Sequence, residues 1–234
     1  MRANRYVTPL HRYQPVPVPP PMRPPTAPPS TSDSIGGVNV AAIAPPGGIQ
    51  RWRWKEIVIH HSATPVASIQ SMDNEHRNVR KWKDGLGYHF VIGNGVKTGD
   101  GQICAGNRWM RQIQGAHCKS DGNYYNEHGI GICLIGNFEE SRPSPAQLAS
   151  LRGLIRYLCM QTGVSPTHIA GHGAITGKTE CPGRFMDVAS VRVSVERMLA
   201  DGSDETTEPV AIRDLDALDR MSDDELWDAL SGQL

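Results

Sequence analysis

The sequence predicts an α/β sandwich, in which helices pack on a central β-sheet. Short runs rich in β-branched residues alternate with longer segments whose apolar residues recur at helical spacing. One run, Gly129–Gly136 (GIGICLIG), is apolar at successive positions, which indicates a central strand covered on both faces. The 234 residues suffice for one good-sized core with flanking tails.

All the predicted strands and helices lie between residues 51 and 201. Strands are expected at Glu56–His60, Gly87–Gly93, Gly129–Gly136 and Thr167–Ala170. Helices are expected at Ala67–Lys83, Ser144–Thr162 and Val188–Leu199. The second helix has the clearest limits, because Ser144 is an N-cap residue, Pro145 suits the first helical position and Gly163 ends the helix. Asn94-Gly95 and Asp100-Gly101 indicate turns.

The two ends of the chain differ in composition from the middle. Residues 1–50 are expected to form a Pro-rich disordered linker, because a run such as Pro15–Pro25 favours polyproline II over a packed core. Residues 202–234 form an acidic tail with a possible short helix, since Ser222 and Glu225 have capping-box spacing. Each end is interpreted as a tether or flexible tail; the alternative is a docking segment for a partner that binds proline-rich strips or an acidic helix.

Composition excludes several classes of function. Lys+Arg and Asp+Glu both number 24, so the balance gives no sign of a nucleic-acid partner or an anionic membrane surface. No apolar stretch approaches the roughly 20 residues of a membrane span, and no apolar segment follows the basic N-terminus as in a standard signal peptide. We therefore expect a protein made in soluble form in the cytoplasm, with the compartment in which it acts left open. A monomer is also expected.

Five cysteines are an odd number in a chain too long for a disulfide miniprotein. The economical interpretation is one metal ligand and four buried thiols. A disulfide within the following group is the alternative: Cys104, Cys118, Cys133 and Cys159.

Candidate metal ligands follow two of the predicted strands. His60 and His61 end the first strand, and the carboxyl ends of strands are where sites gather in α/β folds. Adjacent strand residues point to opposite faces, so one histidine should be the ligand and the other a hydrogen-bonded support. His172 follows a short strand, and Cys181 precedes a rigid Pro-Gly turn. The spacing is not that of a zinc finger, and no HExxH, Gly-x-Ser-x-Gly or P-loop motif is present.

Seven segments in order extend this pattern: IVIHHSAT, GYHFVIG, GAHC, YNEHGIGICLIGNF, SPAQLASL, AGH and TECPG. Together they resemble the N-acetylmuramoyl-L-alanine amidase type 2 domain, a family that includes phage T7 lysozyme and the peptidoglycan recognition proteins. The resemblance covers residues 54–200. It implies a central mixed β-sheet flanked by helices, forming one zinc-amidase domain over residues 51–201 with one Zn²⁺ in an open groove.

The resemblance also implies roles for individual residues. His60, His172 and Cys181 match the zinc ligands, and three protein ligands with an open fourth position are typical of catalytic zinc. Tyr88 matches the catalytic tyrosine, whose hydroxyl would bind the zinc-bound water or the developing oxyanion; a core tyrosine is the alternative.

Other positions match the substrate groove and a second catalytic group. His117 and Asn126 match groove residues, against the alternatives of a structural histidine and a turn residue. Phage members carry a lysine two residues before the cysteine or aspartate ligand; here Thr179 stands there, as in catalytic animal recognition proteins. Thr179 is therefore expected as the second catalytic group, with Lys178 as the alternative. The remaining histidines considered are interpreted as structural or surface residues, with His89 facing away from Tyr88: His61, His89, His128 and His168.

The resemblance predicts a hydrolase that cleaves the amide bond between N-acetylmuramic acid and L-alanine in peptidoglycan or muropeptides. One alternative is a non-catalytic peptidoglycan-binding module, which commonly lacks the cysteine ligand. Another is a cytosolic amidase that recycles anhydro-muropeptides with the same fold and zinc. The absence of a standard signal segment fits that enzyme, an endolysin released at lysis or a delivered effector. A structural zinc protein is the last alternative, and it predicts a closed fourth position.

Overall fold

A computed structural model describes residues 34–35 and 38–201. The acidic tail predicted over 202–234 and most of the predicted linker lie outside these residues. Residues 38–50 were expected in the linker, yet Val38 and Ile43 are fully buried and belong to the main hydrophobic core. The Trp109 indole N–H also donates to the Ile43 carbonyl at 2.7 Å. The packed domain therefore starts earlier than the composition indicates.

The described strands form two sheets. A small antiparallel pair joins β1 (Ser34–Ile35) to β2 (Val38–Asn39). The main sheet contains β3 (Glu56–His61), β4 (Phe90–Ile92), β5 (Ile103–Ala105), β6 (Gly129–Leu134) and β7 (Ile169–Gly171). Its order is β5-β4-β6-β3-β7, with β5 antiparallel and the other neighbours parallel. The predictions of a mixed sheet and of a central strand at β6 are confirmed.

Seven α-helices are described: α1 (Val40–Ile43), α2 (Ile69–Asn78), α3 (Asn107–Met110), α4 (Tyr124–His128), α5 (Pro145–Thr162), α6 (His172–Thr176) and α7 (Val188–Ala200). Short 3₁₀ turns occupy Asp121–Asn123 and Pro166–His168. Helix α5 begins at the predicted N-cap Ser144, which forms a capping box with Gln147, and it ends at Gly163 with φ 79°. None of the described helices is both long and apolar enough to cross a bilayer.

Helix α2 is shorter than the prediction of Ala67–Lys83. The chain leaves the helix after Asn78, and Lys81 takes a φ of 60°, so the backbone reverses there. The reversal places the Trp82 ring 4.6 Å from the His76 ring. Trp82, which the prediction placed inside the helix, therefore lies beyond its end. Likewise only Phe90–Ile92 of the predicted strand Gly87–Gly93 is regular.

The two faces of the main sheet differ sharply. One face presents a continuous apolar layer against α5 and α7: Ile57, Ile59, Phe90, Ile92, Ile130, Ile132 and Leu134. The opposite face contains Val91, packed with Leu86 and Ala67 near α2. His60 lies on this second face, because it alternates with Ile59 along β3. The five cysteines are all free thiols, of which Cys104 alone is not buried.

Candidate functional site

The predicted metal ligands meet at the carboxyl ends of β3 and β7. His60 is the penultimate residue of β3, His172 begins α6 directly after β7, and Cys181 lies in the loop that follows α6. Their ligand atoms all lie within 4.8 Å of one another. His60 Nδ1 and Cys181 Sγ are 3.7 Å apart, although 121 positions separate them in the chain. The parallel register of β3 and β7 brings these residues together.

The set fits a zinc ion. Tetrahedral zinc with bonds of about 2.0–2.3 Å puts a nitrogen and a sulfur ligand about 3.5 Å apart, close to the separation observed between His60 and Cys181. Imidazole and thiolate are donors that zinc favours. His60 and Cys181 are buried whereas His172 is partly exposed, so the site opens towards solvent on the side of His172.

Burial controls the protonation of all three ligands. It lowers the pKa of His60 well below its ordinary value, with a further contribution from His117 and His172, and it lowers the pKa of His172. Both imidazoles are therefore neutral near pH 7 and carry a free lone pair. Burial raises the pKa of the Cys181 thiol to about 11. A cation beside the sulfur is then needed to stabilise the thiolate near neutral pH.

The neighbouring His61 supports the site from the other face of the sheet. Its Nδ1 accepts a hydrogen bond from the Phe138 amide at 3.1 Å. Its own backbone N–H points to Cys181 Sγ at 3.4 Å. The structure thus separates the adjacent histidines into one at the ligand cluster and one that holds surrounding backbone.

Tyr88 lies beside the ligand cluster, just before β4. Its ring centre is 5.1 Å from that of His60, and its side chain is partly exposed. Burial, together with the Cys133 and Cys181 thiols, raises the pKa of Tyr88 well above its ordinary value. The phenol therefore keeps its proton and can donate a hydrogen bond at neutral pH. The neighbouring His89 packs its ring 4.8 Å from that of Trp54 and 5.6 Å from that of His117.

A cavity of about 430 Å³ adjoins the cluster. Its walls include Trp82, His117, Asn126, His172, Lys178 and Thr179. Thr179 Oγ1 accepts a hydrogen bond from the Cys181 amide at 3.2 Å, which ties it to the ligand loop. Lys178 and Thr179 are both exposed. All eight residues singled out in the sequence therefore gather at one end of the domain.

Two residues of this region escaped the sequence analysis. Trp82 lines the cavity, but it falls within the helix predicted over Ala67–Lys83 and was given no role in a site. Cys133 shares a hydrogen bond with Tyr88 and pairs in register with His60. The alternation along β6 could have found Cys133, since it places a thiol on the same sheet face as His60. No sequence signal marks the left-handed turn that redirects Trp82.

The chain is similar in sequence to known amidases and to peptidoglycan-recognition proteins. It is 31% identical to an N-acetylmuramoyl-L-alanine amidase of Mus musculus over 142 residues, 56% of this chain and 24% of that protein. It is 30% identical to peptidoglycan-recognition protein LB of Drosophila melanogaster over 166 residues, 66% of each chain. The chain thus spans about a quarter of the mouse relative and about two thirds of the fly one.

Among solved structures, the fold is similar to that of the N-acetylmuramoyl-L-alanine amidase LysC from Clostridium intestinale URNW. The TM-score is 0.53 at 29% identity, with 62% of this chain and 87% of the other chain covered. The sequence profile of the N-acetylmuramoyl-L-alanine amidase family matches residues 50–184, which is more than half of the chain. Sequence, fold and the ligand cluster agree, and the chain belongs to the N-acetylmuramoyl-L-alanine amidase family.

Proposed function

We propose that this chain is a zinc-dependent hydrolase of the amide bond between N-acetylmuramic acid and L-alanine in peptidoglycan or muropeptides. The observation that carries the proposal is the convergence of His60, His172 and Cys181 beside Tyr88, at a cavity open to solvent. A structural zinc site has no need of an open side or of an adjacent protonated phenol.

One Zn²⁺ is the proposed cofactor, with His60 Nδ1, His172 and Cys181 Sγ as its ligands. When bound, zinc supplies a Lewis acid that polarises the scissile carbonyl and lowers the pKa of coordinated water. The protein holds the ligands in place before the ion arrives, because β3, β7 and the Thr179–Cys181 contact fix their backbones.

Tyr88 is proposed to stabilise the charge that develops on the amide oxygen. Its hydroxyl stays protonated because burial and the neighbouring thiols raise its pKa, and its ring lies 5.1 Å from that of the ligand His60. A donor that is fixed before the reaction costs little reorganisation when the oxyanion forms.

A second donor is proposed at Thr179, with Lys178 as the alternative. The Thr179 oxygen accepts from the Cys181 amide, which leaves its O–H free to donate towards the cavity. Lys178 is adjacent and lines the same cavity. His117 and Asn126 also line this cavity, and we propose that the muramyl-peptide lies against them.

A non-catalytic recognition module is the second candidate, because relatives of this chain include peptidoglycan-recognition proteins. The presence of Cys181 in ligand geometry and of Tyr88 favours the enzyme. An amidase of anhydro-muropeptides would use the same site on a different substrate.

Digestion of intact sacculi and of purified anhydro-muropeptides, with mass spectrometry of the products, tests the proposal. We expect lactyl-muramic acid termini and released peptides that begin with L-alanine. A chelator or Cys181→Ser should abolish both products. Cys159→Ser is the matched control, because Cys159 is a buried thiol in α5 on the apolar side of the sheet. If the wild-type protein binds both substrates and cleaves neither, the protein is a non-catalytic recognition module and the proposed hydrolase is wrong.

A further inference from the structure

The His117 ring has a partner at each nitrogen. Nε2 lies 3.2 Å from the Gly129 carbonyl oxygen, and Nδ1 lies 3.0 Å from His60 Nε2. Two buried imidazoles therefore form a chain that starts at a backbone carbonyl in β6 and ends at the ligand cluster.

The carbonyl end of this chain fixes every proton in it. A carbonyl oxygen can only accept, so His117 Nε2 must carry the hydrogen that it donates to Gly129. The His117 ring is buried, which disfavours its charged form, and a neutral His117 has its lone pair on Nδ1. Nδ1 accepts the hydrogen of His60 Nε2, which leaves the lone pair of His60 on Nδ1. That atom is the one that lies 3.7 Å from Cys181 Sγ.

We propose that His117 is a positioning residue for the metal centre: it holds His60 in the Nε2–H tautomer and aims the Nδ1 lone pair at the metal position. The proposal rests on the metal centre proposed above. Ligand histidines in metalloproteins are commonly oriented by a hydrogen bond to their second nitrogen. Here His117, which is hydrogen-bonded to the Gly129 carbonyl, makes that hydrogen bond to the second nitrogen of His60.

The surroundings of His117 hold its ring in one place. The ring lies against Gly131 of β6, where an added Cβ would come within 2.5 Å of its Cδ2 atom. Gly115 approaches the same ring from another side, again too closely for a side chain. The Asn126 amide oxygen accepts hydrogen bonds from the His117 and Cys118 backbone amides at 2.8 and 2.9 Å. The ring therefore has little freedom to release His60.

The other histidine ligand has no such support. Among the described residues, no hydrogen bond is made by the His172 ring, and its side chain is partly exposed. His60 is thus the ligand whose orientation is fixed in advance. Because both His117 nitrogens are occupied, His117 contributes the edge of its ring to the cavity wall rather than a hydrogen bond to substrate.

The first experiment is ¹⁵N NMR of the imidazole nitrogens in the metal-free full-length protein. We expect the shift pattern of the Nε2–H tautomer at both His60 and His117. An Nδ1–H pattern at His60 overturns the proposal. This measurement uses the wild-type chain, so it does not depend on whether a variant folds or on whether the protein is an amidase.

The second experiment compares zinc affinities by competition with a chromophoric chelator. His117→Leu removes the acceptor and should weaken zinc binding by about 10–100-fold. His117→Asn keeps an oxygen acceptor near the Nδ1 position and should lose less than about tenfold. His89→Leu is the control: His89 is also buried, packs edge-on against the His117 ring at 5.6 Å and is hydrogen-bonded to the Gly131 amide and the Ile113 carbonyl, but it is hydrogen-bonded to none of the three ligands. It should leave zinc affinity unchanged even where it lowers stability.

The possible outcomes separate this proposal from the proposed function. If wild type binds zinc tightly and His117→Leu binds it equally well, the positioning role is wrong while the metal centre stands. A loss of affinity that is the same in His89→Leu also refutes it, because general destabilisation then explains both. If the wild-type chain binds no zinc, the proposed function fails.

Discussion

The two faces of the main sheet use the same strands for opposite purposes. On the face towards α5 and α7, every inward residue of β6 is large and apolar: Ile130, Ile132 and Leu134. On the other face, β6 presents Gly129, Gly131 and Cys133, all small. The small residues leave space for the His117 ring, which lies over Gly131 of β6 and within 3.0 Å of His60 Nε2. At the site, polar side chains therefore occupy the space that large apolar side chains fill on the other face.

Residues that stabilise the fold and residues of the candidate site therefore alternate along the same strand. Ile59 and His60 are neighbours in sequence, yet one lies in the apolar core and the other in the ligand cluster. A substitution on the apolar face should therefore lower stability without changing zinc binding, and a substitution on the site face should lower activity without changing stability.

The largest effect is expected from Ile132→Ala on the apolar face. Ile132 is fully buried in the main core, so the truncation should lower the free energy of unfolding by about 2–5 kcal/mol. Chemical denaturation measures this loss, with Val193→Ala at an exposed position of α7 as the control. Zinc affinity of the folded fraction should stay at the wild-type value. A parallel fall in zinc affinity would show that the faces are coupled.

Tyr88→Phe is the counterpart on the site face. Loss of one donor to a developing oxyanion costs about 2.7–4 kcal/mol, or about 10²–10³ in kcat. The free energy of unfolding and the zinc content should change little, since only a hydroxyl is removed. Tyr157→Phe, at a buried tyrosine in α5, is the matched control and should keep full activity. Steady-state kinetics on muropeptides and metal analysis give the two readouts. Equal losses in both variants would remove Tyr88 from the mechanism.

Much of this architecture could be predicted from the sequence, because local residue patterns determine where its strands and helices lie. A β-branched run located β3 and a continuous apolar run located β6, and the Ser144 cap and Gly163 defined α5 almost to the residue. The positions of His60 and His172 at strand ends made them candidate ligands, since sites gather at the carboxyl ends of strands. The joint ligand set with Cys181 came from the family resemblance. The individual roles of Tyr88 and Thr179 came from the family resemblance.

Features that depend on long-range packing were not predictable. The pairing of His60 with His117 joins positions 57 residues apart, and no spacing rule indicates it. The packing of Val38 and Ile43 into the core is hidden behind a composition typical of linkers. The end of α2 depends on the left-handed Lys81, a conformation that no lysine signals in advance. In each case tertiary contacts decide between local alternatives.

The site face should also give the metal-free protein a characteristic pH dependence. Burial lowers the pKa of His89 well below its ordinary value of 6.5, and burial lowers that of His117 to about 4. In the unfolded chain both titrate near 6.5, so unfolding takes up protons below that pH. Stability should be fully present above pH 6.5 and fall below it, by about 1.4 kcal/mol per pH unit for each histidine.

Denaturation of the metal-free protein between pH 7.5 and 5 measures this slope. His89→Asn should make the slope shallower by one histidine's share, whatever its effect on stability at pH 7.5. The Ile132→Ala variant should keep the wild-type slope, because it introduces no titrating group. An unchanged slope in His89→Asn would mean that His89 does not resist protonation in the folded state.

The smallest effect concerns the second donor at the rim of the cavity. Thr179→Val removes the hydroxyl but keeps the shape of the side chain, and Lys178→Met removes the charge but keeps most of the length. If Thr179 donates to the oxyanion at an exposed position, its loss should cost about 1.4 kcal/mol, or about tenfold in kcat. Lys178→Met should then keep a kcat within about twofold of wild type.

Part of the Thr179 effect will come through Cys181, because the Thr179 oxygen accepts a hydrogen bond from the Cys181 amide. Zinc affinity separates the two contributions: a donor role lowers kcat at unchanged affinity, whereas a loop-fixing role lowers affinity first. The reverse ranking of the two variants assigns the second donor to Lys178.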